Sequence, residues 1–421
     1  MNRLFPPLIL VAAAVAFCPW PTYADDDQSE TRENPTVETG NAAALASVNY
    51  PEYIKLGANH IQMNGDDWSD LAEVFAAADS CPVNIVHIGD SHLQADMGTA
   101  VTRNRLGKEF DHLRGRGLII PFRLAGTNQP VDYKITSSNN FTQSRLLKLP
   151  WPTAMGFTGI AIQPYGRTFN LSVTTEEMFD ALTVYYSGDT LEIMSAIEGA
   201  EPIPFSAGPV YKGLKISFPY NIHSVDLNLR APAGTAIHGI NASLGETGLA
   251  YHVIGNNGAA FSSYTMVGNV ANDIAEMFEP DLIIVSLGTN EAFGKISDSE
   301  FRRTVDDFVK ELKMANPEAK LLLVTPQECH RKTTVRRRRR RKARTSFQVN
   351  ANVKRMRDII VAYGRDNSIP VYDWYEVAGG TGSSHKWISD RNINTDHIHL
   401  TMSGYRLQGN LFTDALLEQL R

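Results

Sequence analysis

A serine set at the end of an apolar run is the first place where this chain can do chemistry. The run Val83-Asn84-Ile85-Val86-His87-Ile88 leads into Gly89-Asp90-Ser91-His92. Its β-branched texture suits a buried parallel strand, and the glycine permits a sharp turn toward the amphipathic segment that begins near Met97. Such a turn exposes Ser91 at the strand's carboxyl edge. A serine hydroxyl is a weak nucleophile, so the chemistry needs a base, a group that orients the base, and donors for an oxyanion. Downstream, the chain offers Gly255-Asn256-Asn257-Gly258, Gly288-Thr289-Asn290-Glu291 and Asp396-His397-Ile398-His399.

These segments fall where an α/β sheet would hold them. Strands are expected at Tyr251-His252-Val253-Ile254, from Asp281 to Leu287, from Lys320 to Val324, and at Ile369-Pro370-Val371-Tyr372. Between them run helical patterns such as Phe301, Val305, Phe308, Val309 and Leu312, or Val349, Val353, Met356, Ile360 and Tyr363. Strands alternating with helices predict a parallel sheet covered on both faces, and ligands bind outside the carboxyl ends of such strands. Aspartate and histidine three apart in a loop can fold together, the carboxylate fixing the imidazole tautomer. His397 and His399 are neighbouring candidates for the base. An isolated Gly-Asp-Ser is usually only a turn, and Asn290 also suits a helix cap. The order of the segments, rather than any one of them, argues for catalysis.

With these residues in view, the chain resembles the SGNH hydrolases, also called the GDSL esterases. Gly89-Asp90-Ser91-His92 is similar to their first block, Gly258 to the glycine of the second, Gly288-Thr289-Asn290 to the third, and Asp396 with His399 to the fifth. The resemblance spans roughly residues 80–120 and 246–421. It implies a three-layer α/β/α sandwich with a central parallel sheet. It further implies Ser91 as nucleophile, His399 as base and Asp396 as its orienting group. The implied oxyanion hole consists of the Ser91 and Gly258 N–H groups and the Asn290 side chain. No cofactor or metal is expected. His92 stands where the family name has leucine, and Glu291 where an aspartate is common. His87, His92 and His397 are read as structural.

From Pro121 to about Gly245 the texture changes. Short alternating stretches, among them Leu182–Tyr186, Leu191–Met194, Leu214–Phe218 and Val225–Leu229, are separated by turn residues. They predict an antiparallel β-sandwich inserted at 121–245 into a hydrolase domain formed by 49–120 and 246–421. A hydrolase with this insert resembles the bacterial peptidoglycan O-acetylesterases, whose insert is similar to a carbohydrate-binding module. The resemblance implies an acetylated cell-wall glycan as substrate. An O-acetyltransferase with the same triad and a non-catalytic glycan-binding protein are the alternatives. Insert aromatics such as Trp151, Tyr165 and Tyr211 suit either sugar stacking or the sandwich core.

The remaining features bear on location and partners. Residues 1–24 read as a secretory signal peptide and 25–48 as a disordered acidic leader, which places the mature protein in the periplasm or outside the cell. No segment after the signal approaches the ~20 apolar residues of a membrane span. Of three cysteines, Cys18 lies in the signal. Cys81 and Cys329 are expected at opposite ends of the sheet, about 20 Å apart, so both are read as free, buried thiols rather than a disulfide. The 421 residues carry a formal charge of −6 but also a run of basic residues from Arg331 to Arg344. On an exported protein, that run suggests either a loop that meets an anionic wall polymer, rather than nucleic acid, or a solvated loop with no partner.

Overall fold

The computed structural model describes residues 50–110, 112–335 and 344–421. The expected signal peptide, the acidic leader and Arg336 to Arg341 lie outside these residues. Two strands precede the insert, β1 (Ile61–Gln62) and β2 (Pro82–Gly89). β3 (Gly117–Ile119) lies just before the expected insert, which supplies β4 (Tyr133–Thr136), β5 (Phe141–Arg145), β6 (Ile160–Pro164), β7 (Thr168–Ser187), β8 (Glu192–Ser195), β9 (Glu201–Ser206), β10 (Tyr211–Arg230) and β11 (Ala236–Ser243). After it come β12 (Gly248–Gly255), β13 (Leu282–Ser286), β14 (Lys320–Val324), β15 (His330–Val335), β16 (Arg344–Val349) and β17 (Val371–Tyr372). The helices are α1 (Ser69–Ala76), α2 (Ser91–Gln94), α3 (Met97–Glu109), α4 (Phe261–Thr265), α5 (Val270–Phe278), α6 (Asp298–Ala315), α7 (Ala351–Asp366), α8 (Trp374–Val377), α9 (Ser383–Ser389) and α10 (Met402–Leu420).

The α/β part is a six-stranded sheet of order β1-β17-β14-β13-β2-β12. Five of its strands are parallel, and β1 pairs antiparallel with β17 at one edge. That edge departs from the all-parallel expectation because a two-residue strand is too short to leave a periodic pattern. Every residue of β2 except Pro82 is buried, as are all eight of β12, which suits strands covered on both faces. Helices α1, α3 and α10 pack together, as do α4, α5, α6 and α7. The fold is a three-layer α/β/α sandwich with an added antiparallel sheet.

Strand order explains where a site must lie. From β2 the chain next enters this sheet at β12 on one side, then moves to β13, β14 and β17 on the other. The order therefore reverses at β2, and a crevice opens at the carboxyl ends there. Two glycines permit the close packing around it. A Cβ on Gly89 would lie 2.8 Å from the Ser286 carbonyl oxygen, and one on Gly255 would run into the Gln94 backbone nitrogen.

The insert and β3, which pairs with β11, form a nine-stranded antiparallel sheet in which β7 and β10, twenty residues each, pair along their lengths. The expected separate strands Leu214–Phe218 and Val225–Leu229 are thus both parts of β10. Pro219 and Asn221, which read as a turn, fall where the register shifts between Ser217 and Ser224. The irregularity is a bulge inside a continuous strand, not a reversal. Its core continues into the α/β part, where Phe157 and Tyr185 meet Phe278 of α5 edge-on at 5.8 and 5.9 Å.

A buried ion cluster also joins the insert to the α/β part. Arg103 of α3 bridges Asp96 and Asp132, each at 2.8 Å, and Arg116 reaches the same two carboxylates. Burial alone would raise the Asp96 carboxyl, yet the two guanidiniums hold it below its ordinary value. Removing one partner strands charges in a dry interior, so Asp96→Ala is expected to cost about 3–5 kcal/mol. Denaturant titration checks this, and a loss under about 1 kcal/mol, the range of an exposed pair, would contradict it.

Two smaller expectations need correction. Cys81 and Cys329 are both free, but only Cys329 is buried; Cys81 is exposed just ahead of β2. The basic run is not a simple loop at its base, since β15 and β16 pair as an antiparallel hairpin. Arg331 donates to the Ala292 carbonyl at 2.8 Å. Among the described residues no helix is long and apolar enough to cross a membrane.

Candidate active site

Ser91 begins α2 directly after β2, and Asp90 caps that helix by accepting the His92 N–H at 2.9 Å. The Ser91 hydroxyl lies 2.8 Å from His399 Nε2, across 308 residues of sequence. On the other side of the ring, His399 Nδ1 lies 2.7 Å from Asp396 Oδ2. The second carboxylate oxygen accepts the N–H groups of Ile398 and His399 at 2.9 and 3.0 Å. Burial alone would raise the Asp396 carboxyl, but these hydrogen bonds and the adjacent imidazole hold it below its ordinary value. An ionised Asp396 only accepts, so the proton belongs on His399 Nδ1. The Nε2 lone pair then faces the serine.

The other expected residues converge on the same crevice. Gly258 follows β12 with φ +83°, and its N–H donates to no protein group among the described residues. Asn290 follows β13, and its amide is engaged twice, 2.9 Å from the Ala259 carbonyl and 3.2 Å from Asp90 Oδ2. It makes no side-chain cap on the short helix that follows it. Glu291, which sequence left without a role, is buried and accepts the Phe261 N–H at 2.8 Å, fixing the turn after Gly258. Burial pushes Asp90 up to about 6 and Glu291 up to about 7.

The remaining histidines occupy distinct places. His87 bridges Tyr251 and Ser286 at 2.8 and 2.6 Å within the sheet's cover. His92 lies against the His399 ring, centroids 5.1 Å apart, with Nδ1 3.0 Å from the Tyr405 hydroxyl. Burial pushes His92 down to about 3, so it stands beside His399 as a neutral ring.

Sequence gave no hint of the insert's contribution. Gln94 accepts the Asn257 N–H at 2.7 Å and donates to Asn128, and Asn257 donates to the same Asn128 side chain at 2.7 Å. A Cβ on Gly258 would meet Leu147 at 2.8 Å, so this insert residue forms a wall beside the Gly258 N–H. No motif marks Asn128 or Leu147, and only tertiary structure brings them here.

Residues 233–407 match the model of the GDSL-like lipase/acylhydrolase family. The match covers less than half of the chain. The matched segment contains Gly258, Asn290, Asp396 and His399, whereas Ser91 precedes it and is placed by geometry. No curated protein sequence matches the chain. Among solved structures, one described as a peptidoglycan O-acetylesterase in action aligns with a TM-score of 0.66 at 19% identity, over 88% of this chain and 99% of that one. The shared fold thus extends through the insert. A lipase/acylhydrolase from Enterococcus faecalis aligns over 41% of this chain and 78% of that one (20% identity, TM-score 0.30). A GDSL-like lipase from Bacteroides thetaiotaomicron aligns over 40% and 76% (18% identity, TM-score 0.30).

Proposed function

We propose that this hydrolase is an exported serine esterase that removes O-acetyl groups from a bacterial cell-wall glycan, N-acetylmuramic acid of peptidoglycan in particular. The observation that carries the reading is the Ser91–His399–Asp396 chain, at 2.8 and 2.7 Å, on a fold shared over 88% of the chain with a peptidoglycan O-acetylesterase. Export is supported by the short apolar N-terminal stretch after Arg3 and the Thr22-Tyr23-Ala24 site.

In this reading Ser91 Oγ attacks the acetyl carbon while His399 Nε2 takes the hydroxyl proton. The ester C–O bond then breaks, and the sugar oxygen leaves with that proton. Water enters by the same steps in reverse, releasing acetate and restoring Ser91. The oxyanion is met by the Ser91 and Gly258 N–H groups and by Asn290. The 3.2 Å contact from Asn290 to Asp90 is the longer of its two, and it is the one an oxyanion replaces. The Ala259 bond keeps the amide in place meanwhile.

Asn290→Ala is therefore expected to lower kcat by ~10²–10³, about 3–4 kcal/mol, with KM little changed. Steady-state kinetics on a small aryl acetate measures this. A rise in KM at unchanged kcat would instead assign Asn290 to ground-state binding.

The substrate is tested by acetate release from O-acetylated peptidoglycan, acetylated xylan and a small aryl acetate, measured in parallel. Preferred release from peptidoglycan is expected. Release from xylan but not peptidoglycan would overturn the wall substrate, and no release from any of the three would overturn the esterase.

A further inference from the structure

The loop that carries Asp396 and His399 is held from behind by a chain of groups that take no part in the triad. Glu328, buried just after β14, accepts the Gly382 N–H at 2.9 Å, the Ser384 N–H at 3.0 Å and the Ser384 hydroxyl at 2.6 Å. Ser384 Oγ lies 3.0 Å from His330 Nε2, and His330 Nδ1 lies 3.2 Å from His397 Nδ1. The His330 backbone N–H also donates to the His397 carbonyl at 2.9 Å. His397 sits between Asp396 and His399 with φ +62° and stacks on Phe347 at 3.9 Å. A residue rarely adopts that backbone unless its surroundings impose it.

Proton directions along this chain are fixed by elimination. Ser384 spends its only proton on Glu328, so its oxygen accepts from His330 Nε2–H. His330 is then bare at Nδ1, and the proton in the imidazole–imidazole bond belongs to His397 Nδ1. Both rings are neutral in this arrangement. Protonating His330 would set two N–H groups against each other and break the bond.

We infer that His330 is a positioning residue: through the proton-ordered chain Glu328–Ser384–His330–His397 it holds the Asp396–His399 loop in register, and protonation of the imidazole pair releases that loop. The inference rests on the esterase reading. The groups facing the pair are Glu328 ahead of β15, His385 on α9, and Asp396 in the loop. Burial, then His385, then His397 itself lower His330 below its ordinary value, against an opposing contribution from Glu328. Burial also lowers His397, which Asp396 opposes and His385 reinforces. The pair is therefore neutral at neutral pH and gains its proton only as pH falls below the usual imidazole range.

The test uses the full-length protein and a small aryl acetate. On the acid limb, log kcat/KM of the wild type should fall with a slope above one, because the imidazole pair takes up a proton in addition to the single one that stops a serine esterase. His330→Gln keeps a neutral donor and acceptor, so it should retain neutral-pH activity and show a single-proton limb. His330→Phe fills the space without either bond. It should lose about 10² in kcat, the scale of a reacting group misplaced by about 1 Å. Should His330→Phe fail to fold, Ser384→Ala serves in its place. By freeing the His330 tautomer it should lower kcat without moving the melting temperature by more than a few degrees.

Wild-type slope and activity in both His330 variants would overturn the inference, as would equal losses in His330→Gln and His330→Phe. Nitrogen-15 spectra of the wild-type imidazoles at neutral pH give a readout apart from turnover. Protons on His330 Nε2 and His397 Nδ1 support the chain even in a protein inactive on every ester, whereas the opposite tautomers overturn it.

Discussion

Turnover of a small aryl acetate is expected to fall by roughly 10⁴- to 10⁶-fold in Ser91→Ala and by a similar factor in His399→Ala, with the double variant no worse than either single one. The reason is geometric. Ser91 Oγ and His399 Nε2 share one hydrogen bond of 2.8 Å, so each side chain is useless to the reaction without the other. Both lie in the crevice at the sheet's end rather than in its core, and circular dichroism and melting temperature should be unchanged. Additive losses would show that the two act in separate steps. Substantial residual activity in purified Ser91→Ala would remove Ser91 from the chemistry.

The second large effect is expected at Asp396. Asp396→Asn should lower kcat by about 10⁴ at neutral pH, because an amide can donate to His399 Nδ1 and so stabilise the tautomer whose Nε2 carries the proton. Such a ring cannot take the serine's proton. The Ile398 and His399 N–H groups still find the remaining amide oxygen, so the loop keeps an acceptor. The pH profile of the variant discriminates. Activity that returns at high pH fits a tautomer fault, since the base itself is intact. A variant with wild-type kcat would mean that Asp396 only shapes the loop.

Both effects concern residues visible in the sequence, and the reason is physical. Ser91, Gly258, Asn290 and the Asp396–His399 pair sit at the ends of strands or in a short loop. A strand that is buried on both faces writes itself as an apolar run, so its carboxyl end is easily located. The parallel order around β2 then follows from alternation of strands and helices.

What was not legible depends on distance in sequence or on irregularity. Two-residue β1 has no period to detect. The bulge that carries β10 past Pro219 and Asn221 looks like a turn until its partner β7 is seen to continue opposite it. His330 and Glu328 lie 69 and 71 residues before His399 and belong to no motif. Only the tertiary contact with His397 gives them meaning. The same holds for Asn128 and Leu147, which reach the crevice from the insert. Cys81 was misplaced for a simpler reason, since the residue before a buried strand need not itself be buried.

Covalent labelling by a small alkyl fluorophosphonate, located by peptide mass spectrometry, tests the central claim most directly because the reagent traps a serine only when its base is in place. The account predicts one label per wild-type molecule, on the peptide that contains Ser91, and no label in Ser91→Ala or His399→Ala. A label on another residue, or labelling of Ser91 that persists undiminished in His399→Ala, would contradict it.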